Sequence, residues 1–163
     1  MVRRTLLTLM ISLGLARATG AAPAGGAAQA GGIEPLRLSD AQWKQRLTPA
    51  QYRVLRQEGT EAPGSSALDH EKRLGSFHCA GCELPLFSSK TKYDSGTGWP
   101  SFWQPLPGAV RTKTDYKMLF PRTEYHCARC EGHQGHVFSD GPPPTGKRYC
   151  NNGVALVFVA EAG

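Results

Sequence analysis

Cys79-Ala80-Gly81-Cys82 and, 44 residues later, Cys127-Ala128-Arg129-Cys130 are the stretches on which the fold turns. A Cys-x-x-Cys turn sets two thiolates on one side of a tight loop. Two such turns brought together make a tetrahedral four-sulfur cage, which suits zinc and leaves no open coordination position. Glu83 follows the first pair and Glu131-Gly132 the second, so both lie in polar, turn-prone segments. The expectation is one structural Zn2+ held by Cys79, Cys82, Cys127 and Cys130. A thioredoxin-like dithiol would need a strand-to-helix setting that neither pair has. An iron–sulfur cluster suits an exported protein less well. Structural zinc in isolated fingers binds with about 10–16 kcal/mol, enough to decide whether a small β-domain folds.

Outward from these knuckles, the texture from Leu74 onward is short apolar or alternating runs broken by Gly, Pro, Ser and Asp. This pattern predicts strands at Ser76–Cys79, Pro85–Ser88, Val110–Thr114, Tyr116–Phe120, Glu124–Cys127, His136–Ser139, Arg148–Asn151 and Val154–Ala160. The last is apolar on both faces and is expected to be buried. Ahead of the strands, Ser39-Asp40-Ala41-Gln42 and Thr48-Pro49-Ala50-Gln51 read as capping boxes of two short helices, with Gly59 as the stop. Trp43 with Leu47, and Tyr52 with Leu55, give those helices an apolar face. The reading is a mainly β domain with a helical N-terminal appendage. The chain has 163 residues, 40% hydrophobic and 20% charged, which fits about one domain and excludes a wholly disordered or fibrous protein. It contains no repeat of 20–50 residues and no nucleotide-binding glycine loop.

Residues 1–18 read as a signal peptide. Arg3 and Arg4 form the positive start, Thr5 to Ala16 an apolar stretch too short for a bilayer, and Ala16-Arg17-Ala18 a cleavage site before Thr19. Residues 19–35 are an Ala/Gly-rich tether and 36–160 the domain. Export, periplasmic in the first instance, is expected; a mitochondrial presequence is the rival. Arg3-Arg4 also fits a loose twin-arginine pattern, which would carry a folded protein. Arg3, Arg4 and Arg17 supply half of the +6 net charge, so the domain itself is too mildly basic to argue for nucleic acid.

Five cysteines cannot all pair. The fifth, Cys150, stands in Lys147-Arg148-Tyr149-Cys150-Asn151-Asn152-Gly153. A free cysteine is often only a small buried hydrophobe. On a strand, however, Arg148 and Asn152 share its face, and a cation with an amide beside a thiol favours a nucleophilic thiolate. His133 and His136, just past the second knuckle, could supply a proton. His70, His78 and His126 read as isolated surface histidines. Gly98-Trp99-Pro100-Ser101-Phe102-Trp103 is either core or the apolar wall of a substrate pocket.

Taken together, the chain from Leu36 to Phe158 resembles the B-type methionine-R-sulfoxide reductases. The resemblance rests on the two Cys-x-x-Cys pairs, Tyr93-Asp94-Ser95-Gly96-Thr97-Gly98-Trp99-Pro100-Ser101-Phe102, Arg122-Thr123-Glu124, Gly132-His133-Gln134-Gly135-His136-Val137-Phe138 and Pro144-Thr145-Gly146-Lys147-Arg148-Tyr149-Cys150-Asn151-Asn152. It implies two antiparallel sheets in a sandwich or barrel-like core, stapled by a four-cysteine zinc remote from the active site. It implies reduction of the R epimer of peptide-bound methionine sulfoxide, as repair of oxidised proteins. In that frame Cys150 is the nucleophile and passes through a sulfenic acid. Trp99, with Phe102, holds the substrate, while His133, His136, Arg148 and Asn152 form the polar side.

Many relatives carry a resolving cysteine where this chain has Thr97, so an external reductant is expected, either a thioredoxin-like protein or a small thiol. Asn151 and Gly153 depart from the family's usual branched aliphatic and serine. The expected partners are oxidised proteins and that thiol, with no nucleic acid and no stable membrane association, and the protein a monomer. The competing classes are a zinc-stabilised interaction module in which Cys150 is inert, and a cysteine–histidine acyl hydrolase.

Overall fold

The computed structural model describes residues 32–117 and 119–162. The signal segment and all but the end of the tether lie outside them. Both capping boxes form. Ser39 caps α1 (Asp40–Arg46) and Thr48 caps α2 (Pro49–Gln57), each taking the backbone N–H of a glutamine whose side chain returns the bond. Pro49 occupies the first turn of α2, where no N–H is needed. The left-handed residue that stops α2 is Glu58 (φ 55°) rather than Gly59, whose N–H closes on Arg53 O at 3.0 Å. Trp43, Leu47, Val54 and Leu55 are buried beneath these helices.

Among the described residues nine strands follow: β1 (Gly75–Cys79), β2 (Pro85–Ser88), β3 (Lys92–Tyr93), β4 (Ser101–Phe102), β5 (Val110–Asp115), β6 (Arg122–Cys127), β7 (His133–Phe138), β8 (Arg148–Asn151) and β9 (Leu156–Ala160). They form a three-stranded sheet, β2-β1-β9, and a six-stranded sheet, β3-β4-β8-β7-β6-β5, with antiparallel neighbours throughout. Aromatic side chains fill the space between them. Phe102 stacks on Phe87 at 4.2 Å and meets Phe77 edge-on at 4.9 Å, while Tyr125 and Tyr149 lie 5.3 Å apart. Both sheets keep free edges, so the core is a sandwich and not a closed barrel.

Two strand expectations are corrected. Tyr116, Lys117, Leu119 and Phe120 form no strand. β5 and β6 pair from Val110–Cys127 through Asp115–Arg122, so the residues between must reverse the chain. The final strand starts at Leu156, after a 3-10 turn over Gly153–Ala155, and it is not buried on both faces. It is an edge paired only with β1, and Val157 and Val159 remain 46% and 45% exposed. Apolar alternation reports what a strand is made of, not whether a neighbour covers it.

Candidate active site

The four knuckle cysteines converge. Their sulfurs all lie within 4.8 Å of one another, with Cys79–Cys130 at 3.6 Å and Cys82–Cys127 at 3.4 Å. A tetrahedron with bonds of about 2.3 Å spaces its sulfurs by roughly 3.8 Å, so the donor set fits a metal of zinc's size and preference. The two knuckles repeat one geometry. Glu83 N–H bonds Cys79 O at 2.8 Å and Glu131 N–H bonds Cys127 O at 2.9 Å, and both glutamates are left-handed (φ 63° and 59°). The helices close over them: Arg46 Nε donates to Gly81 O at 2.7 Å and Arg56 Nη1 to Cys130 O at 2.8 Å.

The fifth cysteine sits elsewhere, on a single rung of the six-stranded sheet. Reading across, Tyr93, Ser101, Cys150, His136, Glu124 and Lys113 are successive cross-strand partners. Directly opposed residues project to the same face, so Cys150 and His136 are neighbours although 14 positions separate them. Cys150 is half-buried and opens into a pocket of about 130 Å³. Trp99, His136 and Asn152 line that pocket with it, as do Arg122 and Phe138. Gly135 permits the arrangement, because a Cβ there would lie 1.9 Å from Cys150 O.

Phe102 occupies the next rung, paired with Tyr149, and therefore faces the other way. It is fully buried in the aromatic core and does not reach the pocket, which corrects its expected substrate contact. Trp99 precedes β4 and does line the pocket, its indole N–H held by Glu61 O at 3.2 Å. Asn152 lines it too, but its amide is largely committed: Oδ1 accepts from Glu61 N at 2.9 Å and Nδ2 donates to Gln134 O at 3.0 Å.

His136 is tied by Nε2 to Asp115 Oδ2 at 2.8 Å, so Nε2 carries a proton and Nδ1 is uncommitted. The Lys117 N–H, His136 and the Arg122 guanidinium hold the Asp115 carboxyl well below the usual carboxylate range. His133 lies behind, only 2% exposed, its ring against that of His136 at 5.5 Å. Residues three apart on a regular strand face oppositely, but a bulge between β6 and β7 shifts the register and turns both rings to one side. His133 Nδ1 is 2.9 Å from Glu124 Oε1, at an angle too bent for a good hydrogen bond. Burial lowers the His133 pKa against the pull of Glu124, leaving a neutral ring away from the pocket wall. Of the two histidines expected at the site, His136 is the cross-strand partner of Cys150 and lines the pocket, and His133 does not line it. Of the other histidines, His70 is exposed, His78 and His126 are half-buried, and none lines the pocket.

The expected thiol activation is also altered. Arg148 shares the face of Cys150, but its guanidinium grips Asp140 by two bonds of 2.9 and 2.8 Å and stacks on Phe138 at 4.3 Å. Burial pushes the Cys150 thiol up, and Arg148 and Thr97 only partly counter it. A cation already matched by a carboxylate stabilises a second anion weakly.

Asp115, Arg122 and Glu61 were not singled out as site residues from the sequence. Asp115 and Arg122 face each other at the end of the β5–β6 hairpin. The Glu61 carboxylate accepts the N–H groups of Gly153 and Val154, fixing the turn after Cys150. Only Arg122 lay within a quoted motif, and no local pattern marks the other two.

A family model described as the SelR domain matches residues 47–160. The chain is 52% identical over 121 residues to the "Peptide methionine sulfoxide reductase MsrB" of Agrobacterium fabrum, covering 74% of this chain and 90% of that one. It is 52% identical over 124 residues to the protein of the same name from Leptospira interrogans, covering 76% and 95%. Against the chloroplastic "Peptide methionine sulfoxide reductase B1" of Arabidopsis thaliana it is 53% identical over 120 residues, covering 73% of this chain and 59% of the relative.

Proposed function

The chain belongs to the SelR-domain family of methionine-R-sulfoxide reductases, and on that premise we propose that its pocket reduces the R-sulfoxide of peptide-bound methionine at Cys150. The observation that carries this is the rung that sets Cys150 beside His136 in a pocket walled by Trp99. At about 130 Å³ the pocket is well below the 300–1,000 Å³ of sites that enclose whole small molecules, and it suits one side chain of a longer chain. The exposed Tyr116, Leu119 and Phe120, at 76%, 90% and 74%, follow Asp115 at the hairpin tip and offer apolar contact to the flanking segment.

With the sulfoxide methyl against Trp99, its oxygen lies toward the His136 side. The Cys150 thiol gives its proton to the free Nδ1 of His136, whose transient charge Asp115 balances, and the sulfoxide oxygen takes that proton up as the Cys150 sulfur supplies an electron pair to the substrate sulfur. The protonated oxygen then passes to the Cys150 sulfur as the substrate S–O bond and the new S–S bond break, so methionine departs as the thioether and Cys150 is left as a sulfenic acid. The net change is thiol plus sulfoxide to sulfenic acid plus thioether. One equivalent of external thiol then displaces water to form a mixed disulfide, and a second releases Cys150 as thiol and leaves as a disulfide. The external source follows from the sorting of sulfurs: four lie in the cage, and Thr97 stands in the turn nearest Cys150.

We assign the cage to Zn2+, held by Cys79, Cys82, Cys127 and Cys130. A closed four-sulfur set supplies folding energy rather than chemistry. The N-terminal reading remains export with a mature chain starting at Thr19, which mass spectrometry of the exported protein checks. The activity is tested on a mixed-epimer methionine sulfoxide peptide with dithiothreitol. Consumption of the R epimer alone is expected, and only with the reductant present. Turnover of neither epimer, or hydrolysis of an ester without reductant, would favour the module or hydrolase readings.

A further inference from the structure

One buried residue touches both the metal cage and the wall of the Cys150 pocket. Gln134, on β7, is fully buried. Its side-chain Nε2 donates to Cys79 Sγ at 3.3 Å. Its backbone carbonyl accepts the N–H of Asn152 at 2.8 Å and Asn152 Nδ2 at 3.0 Å. Asn152 in turn lines the pocket beside Cys150. Behind Gln134 the side chain of Asn151 continues the line. Its Nδ2 lies 3.4 Å from Gln134 Oε1 and 2.8 Å from Asn152 O, and its Oδ1 accepts the Tyr125 hydroxyl at 2.6 Å.

The chemistry of the cage fixes which way these amides face. A metal-bound thiolate has lone pairs and no proton, so the Gln134 amide must turn its NH2 group to Cys79. Its Oε1 then faces Asn151 and needs a donor, which the Asn151 NH2 group supplies. The Asn151 oxygen needs a donor of its own, and the Tyr125 hydroxyl provides it. Gln134, Asn151 and Tyr125 are all fully buried, so a reversed amide would set acceptor against acceptor with no water to relieve it.

We propose that Gln134 is a positioning residue through which the loaded cage holds the pocket: the Cys79 thiolate pins its side chain, and its carbonyl pins Asn152 beside Cys150. Asn151 and Tyr125 keep the Gln134 amide turned toward the sulfur. The assignment rests on the metal and the pocket proposed above. A second tie from the same knuckle, Ala80 N–H to Ala155 O at 2.9 Å, is backbone to backbone and is common to every variant compared.

The test compares the parent with Gln134→Met, a side chain of similar length without a donor. Both are produced with Co2+ in the cage and checked for metal content. A hydrogen bond draws charge from a thiolate, so losing it should move the sulfur-to-cobalt charge-transfer band to longer wavelength. A role in packing alone would leave that band in place. The pocket is read without substrate, by deuterium exchange at the Asn152 N–H, which should quicken roughly 2- to 10-fold, the worth of one hydrogen bond. With the sulfoxide peptide, KM should rise in Gln134→Met while kcat stays nearly unchanged. Tyr125→Phe keeps the ring and removes the hydroxyl; it should move band and exchange the same way by less, and it decides the matter if Gln134→Met loads no metal. An unmoved band overturns the proposal, because Gln134 then gives nothing to the cage. A shifted band with unchanged Asn152 exchange, or with unchanged KM in an active protein, also overturns it, because the pocket is then held independently. Band and exchange need no sulfoxide, so shifts in both beside a failed epimer assay would uphold the positioning and reject the function.

Discussion

The two sulfur sites are built in different ways. The metal cage is two copies of one local turn, each closing on itself within five residues and meeting the other through sulfur and one hydrogen bond, from Arg129 Nη1 to Cys82 O at 3.2 Å. The Cys150 pocket has no local unit. Its nucleophile, imidazole, carboxylate and indole come from β8, β7, the end of β5 and the loop before β4, and only sheet register brings them together. A local turn survives changes elsewhere in the sheet; a register does not, since a slip by one residue turns every side chain to the opposite face. The two regions meet at the buried Gln134. Its Nε2 donates to Cys79 Sγ at 3.3 Å, and its carbonyl accepts both the backbone and side-chain N–H of Asn152.

The largest effects should separate the two regions completely. Cys150→Ser is expected to lose all sulfoxide reduction while keeping metal content and melting temperature. Cys82→Ser is expected to lose the metal and most of the soluble, folded protein. Metal analysis, thermal melting and the epimer assay on the same preparations check this, and a Cys82→Ser protein that retained both metal and fold would break the comparison. Next, His136→Gln should lower kcat by roughly 10²- to 10⁴-fold, the usual worth of a positioned acid. Asp115→Asn should fall in the same direction by less, and His133→Gln should cost stability before it costs rate. Equal kcat losses with intact folding for both histidines would return His133 to the pocket.

A smaller effect tests which face of the sheet matters. Phe102→Leu should lower stability by about 1 kcal/mol through poorer packing against Phe77 and Phe87. Its KM should be unchanged, and a raised KM at unchanged stability would place Phe102 at the substrate after all.

The smallest effect concerns the ties between α2, which covers the cage, and β5 beside the pocket. The Lys113 and Lys117 ammonium groups lower the Glu58 carboxyl to about 2. Its folded pKa is below its unfolded one, so the stabilisation is present above pH ~4.3 and is lost as pH falls through the folded value. Both lysines are exposed, so solvent screening limits the contribution to under about 1 kcal/mol. Glu58→Gln should therefore shift the denaturant midpoint slightly at pH 7, and the shift should shrink as pH falls toward 2.

What was legible in the residues was what is local. The capping boxes at Ser39 and Thr48, the paired knuckles and the isolation of Cys150 are short-range patterns, and each has one chemical reading. That Phe102 turns into the core and His133 lies behind His136 was not legible, because strand position alone does not say which face a residue takes or whether a bulge intervenes. Asp115 went unnoticed because a single aspartate at a strand end carries no pattern until His136 and Arg122 are seen around it.

The sequence by itself determined the sorting of five cysteines into four and one, the mainly β character with its two capped helices, and the chemistry available to the set. Tertiary structure alone decided that His136 rather than His133 meets Cys150, that Phe102 turns into the core, and that Arg148 is already matched by Asp140. The reason is physical. Coordination and capping are satisfied within a few residues, whereas proximity across a sheet and the balance between burial and charge exist only once the strands have paired.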